Sequence, residues 1–146
     1  MTDLLDTYIE NRERVQPTDA NNYGTAHGGN VTKWMDEVGA LSAMRFAGET
    51  CVTASIDQMD FERPIPVGET TVIRSYVYEA GRTSVKVNLE AYREEPRSGE
   101  RKKTTESYFV FVAVDEEGKP QEVPELTAET ERAERLRRKA LDGRDD

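Results

Sequence analysis

Apolar residues after Asn30 recur at helical spacing: Val31, Trp34, Met35, Val38 and Leu41 fall on one stripe. Asn30 reads as an N-cap and Gly48 as a C-terminal stop, so the pattern predicts one long helix between them. Beyond Gly48 the period shortens to that of a strand. Val52, Ala54 and Ile56 alternate with Thr53, Ser55 and Asp57, predicting a half-buried strand, and a one-residue slip before Met59 and Phe61 reads as a bulge. Pro64, Pro66 and Gly68 end that run. Further strands are predicted over 70–80 and 83–93, joined by a turn at Gly81-Arg82, with Val85, Val87, Leu89 and Ala91 on one face. A polar loop, 94–103, leads to a strongly apolar strand over 104–115, closed by a turn at Glu117-Gly118-Lys119-Pro120. Residues 9–16 supply a weaker strand, supported by Ile9 and Val15 alone.

The order is strand, long helix, four antiparallel strands. One helix and an antiparallel sheet of about five strands bury their apolar faces most economically if the sheet curls around the helix, an α+β arrangement. Open edge strands would remain, and pairing two chains edge to edge would satisfy them. The length suits a single domain over 1–125. Residues 126–146 are highly charged, with Leu126, Ala133, Leu136 and Ala140 as sparse apolar positions, and predict a marginal surface helix fraying into solvent.

Composition adds limits. With 29 acidic residues against 20 basic, the net charge of −9 disfavours nucleic acid and anionic membrane as partners. Fourteen of the basic residues are Arg and six are Lys, which fits either a salt-adapted source or an ordinary acidic protein. No run is long and apolar enough to span a membrane, the N-terminus lacks the order of a secretory signal, and one cysteine, Cys51, makes no intrachain disulfide. These point to the cytoplasm. No cysteine–histidine cluster suggests a metal.

Chemistry concentrates between Asn21 and Asp36. Gly28 and Gly29 stand at the entry of the predicted helix, where unpaired amides and the positive dipole end suit a carbonyl oxygen turning negative. Asp36 shares its side of the helical wheel with Gly39, Ala40 and Ala43, small residues that leave room for a ligand or a second chain. Taken alone, a glycine-capped helix with a solvated aspartate explains these residues better than a site does.

The ordered blocks Asn21, His27-Gly28-Gly29 and Met35-Asp36-Glu37 resemble the motif of the hotdog-fold acyl-CoA thioesterases, the group that includes brain acyl-CoA hydrolase and its bacterial relatives. The likeness continues through VTASIDQMDFERPIPVGE, GRTSVKVNLEAY and YFVFVAVDEEGKPQEVP, about residues 10 to 125. It implies a hotdog fold and hydrolysis of acyl-CoA. Asp36 would be nucleophile or general base, Asn21 would orient water or substrate, and the Gly28 and Gly29 amides would form the oxyanion hole. It implies Arg63, Arg82, Thr83 and Ser84 as contacts to CoA, which is part of the substrate; no separate cofactor is implied. It implies a homodimer or a hexamer built as a trimer of dimers, with Asp36 and Asn21 meeting across subunits. Around Arg63 and Arg82, further basic residues (Lys86, Arg93, Arg97, Arg101, Lys102 and Lys103) could form a patch for the polyanion. Trp34, Met35, Met44, Met59 and Phe61 are the expected determinants of pocket depth. His27, the only histidine, reads as a packing or hydrogen-bonding residue, since no serine or cysteine nucleophile accompanies it. Two alternatives share the fold: a non-catalytic acyl-CoA-binding sensor, and a hydratase or dehydratase.

Overall fold

In the computed structural model, which describes residues 1–145, the long helix α1 spans Gly28–Ala47. Its N-cap is His27, not Asn30: the imidazole Nδ1 accepts the Gly29 amide at 3.1 Å, and Asn30 lies inside the first turn. Gly28 and Gly29 therefore belong to the helix rather than to the loop before it. Gly48 ends the helix at φ +71, its amide returning to the Met44 carbonyl. The buried stripe is Val31, Met35, Val38, Gly39, Ser42, Ala43 and Phe46; Leu41, predicted to share it, is 48% exposed. At about 100° per residue Leu41 falls roughly 120° from the centre of that stripe, on the flank where Trp34 is half-buried.

The sheet order is β2 (Ile9–Arg14), β4 (Thr70–Ala80), β5 (Ser84–Glu94), β6 (Arg101–Val114) and β3 (Thr50–Ile56), every pairing antiparallel. Short connections make β4, β5 and β6 a meander, and the two strands that flank α1 in sequence become its edges. β6 begins at Arg101, three residues before its predicted start, because the basic end of the 94–103 loop pairs with Tyr92, Arg93 and Glu94. Val85, Val87, Leu89 and Ala91, all fully buried, meet Ile73, Val77, Phe109 and Phe111 under Met35, Val38 and Phe46. Burying each of the larger side chains contributes about 1.5–3 kcal/mol. Register shifts at Tyr78, Thr104 and Ala54 bend the sheet around the helix. The bulge expected before Met59 is thus at Ala54 in β3, and residues 57–60 lie beyond the strand.

Gly39 sets the helix–sheet distance. A Cβ there would stand 2.9 Å from Leu89 Cδ1 and 3.2 Å from the Phe111 ring. The small residues near Asp36 thus serve partly the chain's own sheet, not only a visitor. A buried polar chain fastens the same face: the Ser42 hydroxyl meets Ser75 Oγ and the Thr7 carbonyl, while Thr7 Oγ1 accepts the Val77 amide just past the end of β2.

The outer face is covered by α2 (Glu131–Asp145). Ala133 and Ala140 are buried against Leu4, Tyr76 and Tyr78, and Tyr76 donates its hydroxyl proton to the Leu136 carbonyl at 2.7 Å. The helix expected to be marginal is seated because its few apolar residues are small and meet a row of tyrosines. Ahead of it, β7 (Leu126–Thr127) pairs in parallel with β1 (Thr2–Asp3). Among the described residues no helix is long and apolar enough to cross a membrane.

Candidate active site

Asn21 sits in the turn before α1, and the turn consumes its carbonyl end. Its Oδ1 accepts the Tyr23 amide at 2.9 Å, the Thr25 amide at 3.3 Å and the Thr25 hydroxyl at 3.2 Å. Those three donors leave its Nδ2 group with protons to give, and it has no acceptor among the described residues. The segment is held by the Ala26 amide on the Ile65 carbonyl, at 2.7 Å, and the Val67 amide on the Gly24 carbonyl, at 3.0 Å. Gly24, at φ +78, makes the reversal possible. Neighbouring Asn22 is exposed and makes no side-chain hydrogen bond among the described residues.

At the helix entrance the two glycines differ. The Gly29 amide is engaged by His27 Nδ1, whereas the Gly28 amide has no acceptor among the described residues. Phe61 stands beside Gly28, its ring 3.7 Å from where a Cβ would be. Asn21, Gly28 and Phe61, with Thr25, Val31, Arg63, Ile65 and Thr104, line a cavity of about 360 Å³ under the helix N-terminus. Of the five residues expected to set pocket depth, only Phe61 lines it; Met35 is fully buried in the core.

Asp36 lies eight residues further along α1, about 12 Å by the helical rise, and does not line that cavity. Its Oδ1 accepts a 2.6 Å hydrogen bond from Thr53 Oγ1 on β3. No ion pair involves Asp36 among the described residues, so its second oxygen stays available. Thr53 was not singled out from sequence: it is one polar residue in an alternating strand, and its meeting with Asp36 depends on how β3 lies across the helix.

β3 itself departs from the half-buried pattern. Only Cys51 is buried; Val52 and Ile56 are 48% and 44% exposed, and so is every other residue of the strand. Its outer edge has no partner strand among the described residues. Burial pushes the Cys51 thiol up to about 11, with the Glu49 carboxylate adding to the effect.

The expected CoA contacts separate into two groups. Arg63 donates to the Lys103 carbonyl at 2.6 Å, near the start of β6. Arg82, Thr83 and Ser84 form the β4–β5 hairpin, where the Thr83 carbonyl accepts the Ala113 amide near the end of β6. At about 3.3 Å per residue these places are some 30 Å apart, so one chain does not bring them together. The surrounding basic patch is largely neutralised: Lys86 pairs with Glu79, Arg93 with Glu69, Arg101 with Glu10 and Glu94, and Lys103 with Glu90 and Glu106. Arg82 and Lys102 are exposed and without an acidic partner among the described residues. Among those residues no cluster of three or more His, Cys, Asp or Glu side chains is arranged to hold a metal.

A five-stranded antiparallel sheet curled about one long helix defines a hotdog protein. The sequence model of the thioesterase superfamily matches residues 23–100, and the chain belongs to that family as a thioester hydrolase. Over 118 residues it is 38% identical to YkhA of Bacillus subtilis, described as an uncharacterized acyl-CoA thioester hydrolase, covering 81% of this chain and 69% of that one. An apo-hexameric acyl-CoA thioesterase superposes with a TM-score of 0.88 at 38% identity, over 99% of this chain and 92% of that one. The Staphylococcus aureus acyl-CoA hydrolase, solved with butyryl coenzyme A and coenzyme A, superposes at 0.87 with 30% identity, over 97% and 86% of the two chains. Structures of that enzyme include alanine variants of an asparagine, of an aspartate fifteen positions later, and of a threonine seventeen positions after the aspartate.

Proposed function

We propose that this chain hydrolyses acyl-CoA to coenzyme A and a carboxylic acid at a site shared by two copies. One copy contributes Asp36 and Thr53; the other contributes Asn21 and the Gly28 amide. The observation that carries this reading is the division of the machinery along α1. The Asp36–Thr53 pair lies at the exposed β3 edge, and the free Nδ2 of Asn21 and free amide of Gly28 lie at the cavity about 12 Å away. Two antiparallel copies joined along β3 would set each half against the other half of its neighbour. The same joining would cover Val52 and Ile56. Asn21, Asp36 and Thr53 also have the spacing of the three residues replaced in the Staphylococcus aureus enzyme. A hexamer, as described for one relative, would place further copies near the Arg82–Ser84 hairpin.

The thioester carbonyl would sit at the Gly28 amide, which stabilises the oxyanion; the Gly29 amide can join only by leaving His27. Acting as base, Asp36 takes a proton from water, the new hydroxide adds to the carbonyl, and the C–S bond breaks to release the CoA thiolate. Acting as nucleophile, it forms an anhydride that water then opens. Both routes use Asp36 as a carboxylate, and the Thr53 hydrogen bond orients it. Water is the only co-reactant. Arg63 would steer the CoA polyanion.

Asp36→Asn is expected to lower kcat by at least about a hundred-fold while the melting temperature is retained, measured by thiol release from acyl-CoA. Turnover near that of the unaltered protein would reject the assignment. Single-turnover hydrolysis in ¹⁸O-water tests the anhydride route: label in the Asp36 carboxylate, left when water opens the anhydride at its aspartyl carbonyl, arises on that route alone.

A further inference from the structure

Gly28, Thr32 and Asp36 follow one another at four-residue spacing, so they share one side of α1, and all three are half-buried. This row lies on the flank of the helix opposite Trp34 and Leu41. Beside it run β3 and its continuation. Thr53 donates to Asp36, Met59 Sδ stands 3.6 Å from Thr32 Oγ1, and the Phe61 ring lies next to Gly28. The helix and that segment are therefore antiparallel, with Thr32 at the middle of their contact. Its hydroxyl donates to the Gly28 carbonyl at 2.9 Å, so it is satisfied within its own helix and needs no outside acceptor.

In the reading on which this inference rests, Asp36 of one copy works with the Gly28 amide of the other. A closed pair obeys a two-fold axis, so the reverse contact forms at the same time. Two helices that meet twice in this way run antiparallel, and the residue equidistant from both contacts meets its own copy. Thr32 is that residue: four positions, about 6 Å along the helix, separate it from Gly28 and from Asp36 alike. We propose that the two-fold axis of the pair passes beside Thr32, which packs on Thr32 of the second copy and sets the spacing of both sites at once. On the strand side the axis falls midway between Thr53 and Phe61, at the end of β3, where Ile56 is 44% exposed. An apolar side chain beside a two-fold axis is covered by its own copy, which gives Ile56 a partner of matching character.

The test is disulfide trapping in the full chain, with Cys51→Ala removing the native thiol. Helix axes packed about 8–10 Å apart bring facing Cα atoms within the roughly 7 Å that a disulfide spans. Under mild oxidation Thr32→Cys should convert nearly all of the protein into a covalent pair, at a rate that dilution leaves unchanged. Lys33→Cys, one residue further and outside the row, should stay single on a non-reducing denaturing gel. A melting temperature of reduced Thr32→Cys close to that of the Cys51→Ala protein would establish that the fold is intact. Thr32→Cys that stays single, or Lys33→Cys that cross-links as completely, would overturn the proposal. Thiol release from acyl-CoA by the Cys51→Ala protein tells its failure from that of the underlying reading. Turnover without cross-linking removes the axis alone, whereas cross-linking without turnover keeps the axis and removes the chemistry.

Discussion

At Asp36 the proposed chemistry turns on a single contact, the 2.6 Å hydrogen bond from Thr53. Thr53 is exposed and touches nothing the fold needs. Thr53→Val is therefore expected to leave the melting temperature within a degree or two and to lower kcat by roughly ten-fold, with Thr53→Ser restoring it. A matched fall in stability and activity would instead make the residue structural. Cys51 offers a contrasting expectation: with its pKa pushed up to about 11 by burial, the thiol is almost wholly protonated at neutral pH. It should resist alkylation in the folded protein and react quickly in denaturant. Asp36 and Asn21 were legible in the sequence only through ordered blocks resembling a family. Thr53 was not, because it carries no local signal. It acquires meaning from strand register, which places it against a helix.

Among the elements, the strongest periodicities were the most legible. The strand over 70–80 and the buried face of Val85, Val87, Leu89 and Ala91 stand where the pattern put them. Helix entry was misread because Asn30 is a good cap by type, yet the backbone reversal at Gly24 brings His27 to that position first. The pattern of β3 was misread for another reason: alternation tells which faces differ, not what covers them. Gly39 has a double role to weigh. Alanine there gains about 1 kcal/mol of helix propensity, while overpacking against Leu89 and Phe111 costs about 1–3 kcal/mol. The two nearly cancel for Gly39→Ala, but Gly39→Val has a larger clash and no such gain. Its melting temperature should fall by at least about 5 °C, read by circular dichroism. Asp3 ties the two chain ends together. Burial alone would raise its pKa, but the Glu129 and Leu5 amides and the Thr127 hydroxyl more than offset it and hold the carboxyl below its ordinary value. A lowered folded pKa stabilises above the unfolded value and loses that contribution as pH falls through the folded one. Between about pH 6 and the acid side of the ordinary carboxylate range, the unaltered protein should therefore lose more stability than Asp3→Asn.

Across the whole molecule, the division of the site predicts complementation. Asp36→Asn and Asn21→Ala should each be nearly inactive alone. Unfolded and refolded together, they should regain activity, because a mixed pair holds one site with both residues intact. Failure of the mixture, with mixed assemblies demonstrated by mass spectrometry, would place Asp36 and Asn21 in the same subunit's site. Val52→Glu would set like charges across the proposed β3 junction, and it should lower assembly size by light scattering and activity together. The acidic surface matters here too: within the expected CoA patch Lys86, Arg93, Arg101 and Lys103 are already paired and Arg63 stands 3.9 Å from Glu62, which gives Arg82 and Lys102 more weight than a count of basic residues suggests.

The strand order β2-β4-β5-β6-β3 also dictates a timetable during synthesis. α1 and β3 leave the ribosome more than fifty residues before β6, the strand that β3 must pair with. At about 5–20 residues per second that interval lasts several seconds. Until β4 and β5 follow, Val31, Met35, Val38 and Phe46 have no sheet to cover them, and β3 stays unpaired until β6 is made. A lone helix of this length is only marginally stable in water. The nascent chain thus carries an unprotected apolar stripe beside an unpaired strand, which is the pattern that holding chaperones bind. Closure then comes from the elements made after β6: β7 clasps β1 and α2 seals the outer face. A ribosome stalled before Leu126 would present a sheet that had formed but could not be finished.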